Sequence, residues 1–175
     1  MDDFWVFGYA SLMWKPGFDH VDKRRARLFG YHRCLCITSY EHRGTRERPG
    51  LVMGLDRGGS CVGVAYRVAA AKRESVMAYL RERELVTNVY LERNGVIAFD
   101  NGEKTAAVAY VADREHGQYA GRLGVEEAAG HVCGAVGGMG PNEDYVINTA
   151  EHIRTLGIRD HWLEHVVAEI RKRTR

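Results

Sequence analysis

Two carboxylates two residues apart, Glu82 and Glu84, close a segment that carries apolar residues at Val76, Met77 and Leu80. At helical spacing Glu84 continues that apolar stripe, whereas Glu82 falls with Arg81 and Arg83 on another face. One acid of the pair is therefore expected in solvent and the other against the core. Glu84 also ends its helix, where the macrodipole disfavours an anion, and burial disfavours the anion too. Both effects raise a carboxyl pKa, which suits proton transfer near neutral pH. A structural reading stands beside the chemical one: such a glutamate reaches solvent by its long stem, or pairs with an arginine such as Arg83 or Arg67. The second candidate is "VFGYAS", Val6, Phe7, Gly8, Tyr9, Ala10 and Ser11. A short apolar strand runs there into small residues. It reads either as an ordinary turn or as a cradle whose backbone N–H groups hold a carboxylate or an oxyanion.

Other chemistry-bearing residues carry less. His161 and His165 stand at i, i+4, a spacing that can hold a metal, but no third ligand accompanies them and a solvated helix face explains them, so no metal site is expected. "KRRAR" at 23–27 reads as a strand edge and the terminal "RKRTR" as a frayed end. "GAVGGMGP" lacks the Gly-Lys-Ser/Thr ending of a phosphate loop. Cys34, Cys36, Cys61 and Cys133 form no C-x-x-C, and a chain of this size needs no staples, so they read as reduced thiols.

"VFGYASLMWKPGF", "HRGTRERPG", "YLRERE" and "GPNEDY" occur in that order. Together they resemble the ChaC-like γ-glutamylcyclotransferases, the branch that acts on glutathione, collinearly from about residue 4 to about residue 165. The resemblance implies a small mixed β-barrel flanked by helices. It implies cleavage of glutathione to 5-oxoproline and cysteinylglycine, with Glu84, the acid of the Arg-Glu pair, as catalytic residue. The family's substrate loop falls on Val6 to Ser11. Arg43, in the "HRG" loop, either meets a substrate carboxylate or is a solvated loop arginine. Tyr145, in "NEDY", either closes one wall of the pocket or packs there. Tyr9 is expected beneath the loop with its backbone in use. Ala10 stands where the family usually has Gly, so its φ is expected to be negative, since a positive φ would strain alanine. The implied reaction is intramolecular and in principle needs no cofactor. Alternatives are a cyclotransferase for other γ-glutamyl amino acids or amines, and a non-catalytic small-molecule-binding module.

The elements that must position these residues read as α+β, a small closed or nearly closed sheet with the helices mostly late. Strands are expected at Phe4–Gly8 and Ala26–Thr38, with hairpins around Gly58-Gly59 and Asn94-Gly95 and a turn at 100–102 before "TAAVAYVA". Helices are expected from Ala70 to about Glu84, over Val125–Val136 up to "GGMGP", over Asn142–Leu156 with Asn142 as N-cap, and over Asp160–Lys172 capped by Asp160. The 175 residues suit one domain, 1–175. With 45% hydrophobic and 27% charged residues the chain is globular in type, and a net charge of +2 gives no preference for nucleic acid or an anionic membrane. No apolar run approaches the roughly 20 residues that span a bilayer. The opening "MDDFWVF" has acids where a signal peptide has bases, so a cytoplasmic protein is expected.

Overall fold

The computed structural model describes residues 2–175. Five strands, β1 (Phe4–Gly8), β2 (Asp22–Ser39), β3 (Gly50–Val68), β4 (Tyr90–Phe99) and β5 (Lys104–Ala112), form a closed barrel in the order β1-β3-β2-β4-β5. The sheet is mixed: β1 pairs antiparallel with β3, β4 antiparallel with both β2 and β5, and β1 meets β5 in parallel at Val6 and Val108. The α+β class and the small mixed barrel expected from the sequence are both present.

Contacts group the chain into two compact units, one of the described residues up to Arg33 with Leu55–Asp113, the other of Cys34–Gly54 with Arg114–Arg175. The first unit also holds α1 (Arg73–Glu84), preceded by a single 310 turn at Ala70–Lys72. Its apolar stripe buries Val76, Met77 and Leu80 in one cluster with Phe4, Val6, Leu12, Val68, Val108 and Tyr110. The second unit holds α2 (Val125–Val132), α3 (Asn142–Thr155), α4 (His161–Arg173) and a small hairpin of β6 (Val136–Gly137) and β7 (Gly140–Pro141). There α4 packs against α2 and α3 through Leu163, Val166, Val167 and Ile170. Among the described residues no helix is long and apolar enough to cross a membrane, and the four cysteines are unbonded.

Several local expectations change. Neither Gly58-Gly59 nor Asn94-Gly95 turns the chain: β3 and β4 each run straight through. Gly58 and Gly59 take positive φ (106° and 70°) inside β3. Gly95 serves close packing, since a Cβ there would lie 2.6 Å from Leu28 Cδ1 of β2. The 100–102 turn is present, with Gly102 at φ 87°. α2 ends at Val132, short of Val136, and "GGMGP" supplies the β6–β7 hairpin. Asp160 caps α4 by accepting the Leu163 N–H, as expected. Asn142 does not cap α3: its buried amide accepts the Leu51 N–H and donates to the Leu51 carbonyl, both at 2.8 Å. The basic C-terminus is helical to Arg173, whose Nε donates to Glu169 at 2.8 Å.

Candidate active site

The expected substrate loop and the candidate carboxylate lie in the first unit. β1 buries Val6 and Phe7, so the loop's own chemistry begins at Gly8. A Cβ on Gly8 would lie 2.9 Å from Leu12 Cβ, and Gly8 is not among the residues with positive φ. Glycine is used there for close approach, because the 310 turn Ser11–Met13 folds back onto the strand end. Ala10 has φ −139°, so alanine occupies the position without needing glycine's freedom.

Three side chains hold the loop by its oxygens. The buried Arg33 donates through Nε to the Tyr9 carbonyl and through a terminal nitrogen to the Val62 carbonyl, both at 2.6 Å. Tyr66 Oη donates to the Met13 carbonyl at 2.8 Å, and burial pushes its phenol up to about 12. Arg83 donates to Ser11 Oγ at 3.0 Å and to the carbonyls of Lys15 and Pro16 at 2.7 and 3.1 Å. A trans peptide sets its C=O and N–H on opposite sides. With the Tyr9 carbonyl turned to Arg33, the Ala10 N–H therefore points the other way. The first i→i+3 bond of the turn is Met13 N–H to the Ala10 carbonyl, so the amides of 10–12 precede any donor used within it. Tyr9 is buried, only 8% exposed.

Glu84 sits at the last position of α1 with a side chain 16% exposed, while Glu82 is exposed, as the stripe requires. Burial pushes the Glu84 carboxyl up, and the Arg83 cation, with Nε 3.4 Å from Oε1, pulls against it. Of the two arginines considered as partners, Arg83 is the one found; Arg67 lies 3.6 Å from Asp3. Behind α1, Tyr110 of β5 donates to Glu92 of β4 at 2.9 Å, and Arg81 meets the same carboxylate through two nitrogens at 3.0 and 3.1 Å. Burial first, then the Glu92 bond, holds the Tyr110 phenol far above its usual value, and the charge of Glu84 adds to this. A buried apolar cluster, a carboxylate with raised proton affinity and a loop of inward-turned carbonyls together suit proton transfer next to a bound anion.

Arg43 and Tyr145 belong to the second unit, and there the structure brings the two together. The Arg43 guanidinium lies 5.3 Å from the Tyr145 ring centroid and donates to the Pro141 carbonyl at 3.2 Å. Tyr145 Oη accepts the Met53 N–H at 3.0 Å. Arg43 is thus an engaged, half-buried arginine rather than a solvated one. Arg33, Tyr66 and the loop contacts of Arg83 were not expected from the sequence. A signal existed for Arg33: it alternates with Leu35 and Ile37 in one strand, a charge in line with two apolar positions.

The sequence of residues 4–173 matches the family described as ChaC-like protein. The glutathione-specific γ-glutamylcyclotransferase of Escherichia coli (strain K12) is 30% identical over 96% of this chain and 73% of its own length. The γ-glutamylcyclotransferase 2-3 of Arabidopsis thaliana is 31% identical over 95% of this chain and 88% of its own. A crystal structure of the yeast γ-glutamyl cyclotransferase specific to glutathione superposes with a TM-score of 0.85 at 19% identity, covering 98% of this chain and 97% of that one, which shows the shared fold.

Proposed function

This chain belongs to the ChaC-like family, and from that premise we propose that it is a γ-glutamylcyclotransferase that converts glutathione to 5-oxoproline and cysteinylglycine, with Glu84 as proton carrier. The observation that carries the reading is the half-buried carboxylate of raised proton affinity at the end of α1, tied through Arg83 to the turn at Ser11. The reaction joins two ends of one molecule, so the nucleophile is already at high effective concentration. Glu84 takes a proton from the substrate's α-ammonium and frees its lone pair. The nitrogen attacks the γ-carbonyl and the lactam C–N bond forms; the attacking nitrogen then sheds a second proton, the amide C–N bond to the cysteine nitrogen breaks, and the two protons end on that leaving nitrogen, which departs as the α-ammonium of cysteinylglycine. The turn at 8–11 supplies backbone N–H groups for the γ-glutamyl α-carboxylate or the developing oxyanion, with Val6 and Phe7 as its rigid base. Arg43 and Tyr145 are carried as substrate contacts by their sequence motifs alone.

The test is incubation of the purified protein with glutathione, γ-Glu-Ala and γ-glutamyl-lysine, with detection of 5-oxoproline. Release from glutathione is expected. Release from the other two alone moves the substrate to γ-glutamyl amino acids or amines, and release from none leaves a binding module. Glu84→Gln should lose about 10²–10⁴-fold in kcat with little change in binding; retained turnover overturns the role of Glu84.

A further inference from the structure

We propose that Arg83 is a positioning residue for the reaction: one guanidinium locks the 11–16 loop to the last turn of α1 and at the same time lies against the Glu84 carboxylate. The inference rests on the reading of Glu84 as proton carrier and assigns its neighbour a separate task. Arg83 is only 23% exposed, and each of its three nitrogens has a partner. One terminal nitrogen meets the carbonyls of Lys15 and Pro16 and the Tyr79 hydroxyl, at 2.7, 3.1 and 3.1 Å. The other meets Ser11 Oγ at 3.0 Å. Nε faces Glu84 Oε1 at 3.4 Å.

No other residue type would do this. Lysine has the charge but not a planar fork that reaches partners in several directions. Glutamine has donors but no charge. The loop is shaped to the clamp on its far side as well. Gly17, at φ 74°, follows the two captured carbonyls, and a Cβ there would lie 2.0 Å from Tyr79 Oη, the hydroxyl that Arg83 also holds. Adjacent residues on a helix do not normally face each other. Here they do so at the helix end, where the carbonyl ends of the helix already disfavour an anion at position 84.

The consequence is a single side chain that fixes both loop geometry and carboxylate charge. Against burial and the helix end, Arg83 is the cation that lowers the proton affinity of Glu84. Another titratable group that Glu84 acts on is Tyr110 of β5, with Glu92 of β4 and Arg81 of α1 behind it. Tyr110 and Glu92 add no positive charge, and Arg81 spends its own on Glu92.

Arg83→Lys, Arg83→Met and Ser11→Ala separate the two tasks. In Arg83→Met the Glu84 carboxyl, followed by 13C NMR and assigned by its loss in Glu84→Gln, should titrate at higher pH than in the wild type. KM for glutathione should rise roughly tenfold or more, since a charged hydrogen-bond clamp is lost, and the acid limb of kcat/KM should move upward. Arg83→Lys should keep the Glu84 titration close to the wild-type position while still raising KM. Ser11→Ala should raise KM and leave the acid limb in place. Thermal melts of each variant show that the fold persists, and Arg83→Lys and Ser11→Ala carry the test if Arg83→Met does not fold. A folded set of variants with unmoved KM, or a Glu84 titration unmoved in Arg83→Met, overturns the proposal. Turnover by Glu84→Gln would instead overturn the role of Glu84, and the NMR titration still decides the electrostatic task of Arg83 in that event.

Discussion

At Glu84 two opposing effects meet, burial raising the proton affinity and the Arg83 cation lowering it, and burial wins. The stability consequence has a definite sign. A carboxyl whose pKa is higher in the folded chain than in the unfolded one binds its proton more tightly when folded. Its contribution is present at low pH and is lost as pH rises through the folded value. Glu84→Gln should therefore raise Tm at about pH 7.5, and the gain should vanish at about pH 3, well below the ordinary glutamate value, where the wild-type group is protonated in both states. Melts of both proteins at the two pH values check this. At Gly8 the constraint is steric, since a new Cβ would meet Leu12 Cβ at 2.9 Å. Gly8→Ala should cost about 1–3 kcal/mol and raise KM, measured by denaturant unfolding and by steady-state kinetics. Ala10→Gly should leave the site intact, because φ there is already negative.

Elements are joined by a few polar ties whose removal has a predictable cost. Arg81 of α1, Glu92 of β4 and Tyr110 of β5 form one network in which Glu92 receives all the donors. The Arg81 bond, first, and the Tyr110 bond hold the Glu92 carboxyl below its usual range. Its contribution is therefore present above the ordinary glutamate pKa and is lost as pH falls, the opposite sign to Glu84. Glu92→Ala strands the buried Tyr110 hydroxyl and should cost about 1–3 kcal/mol, with a pH dependence of stability that flattens in the acid range. In the second unit Asn142 joins the start of α3 to β3 by two bonds to Leu51. Asn142→Ala should cost about 1–3 kcal/mol for each group left unpaired, more than the ~1 kcal/mol expected for removing the true cap with Asp160→Ala. Urea unfolding of the two variants ranks them.

At the level of the molecule the barrel closes through β1 and β5, whose parallel contact joins Val6 to Val108. Parallel neighbours need a long crossover, and here the intervening chain supplies β2, β3, α1 and β4, so the strand that leads into the candidate loop is pinned on both edges. A ligand that binds such a pre-built site stabilises the whole folded chain. For Glu84→Gln, which should bind glutathione without consuming it, a hundredfold excess over Kd corresponds to about 2.7 kcal/mol. A concentration-dependent rise in Tm is expected, and its absence would count against binding at this site.

Much of this was legible because it was local. The stripe at Val76, Met77 and Leu80 repeats at helical spacing, and that alone separated Glu84 from Glu82. The turn after Phe7, the cap at Asp160 and the collinear motifs were also written in neighbouring residues. Glycine was the ambiguous letter: Gly58-Gly59 and Asn94-Gly95 look like hairpin turns, yet Gly95 makes room for Leu28 of another strand. Asn142 likewise looked like a cap until its partner proved to be Leu51. The clamp on the candidate loop depends on residues brought together across the chain, with Arg33, Tyr66 and Arg83 reaching 24, 53 and up to 72 residues to their acceptors. Periodicity and capping report contacts within a few residues, so they selected the carboxylate. Which cation would stand beside it, and which oxygens that cation would hold, was decided only when the strands closed.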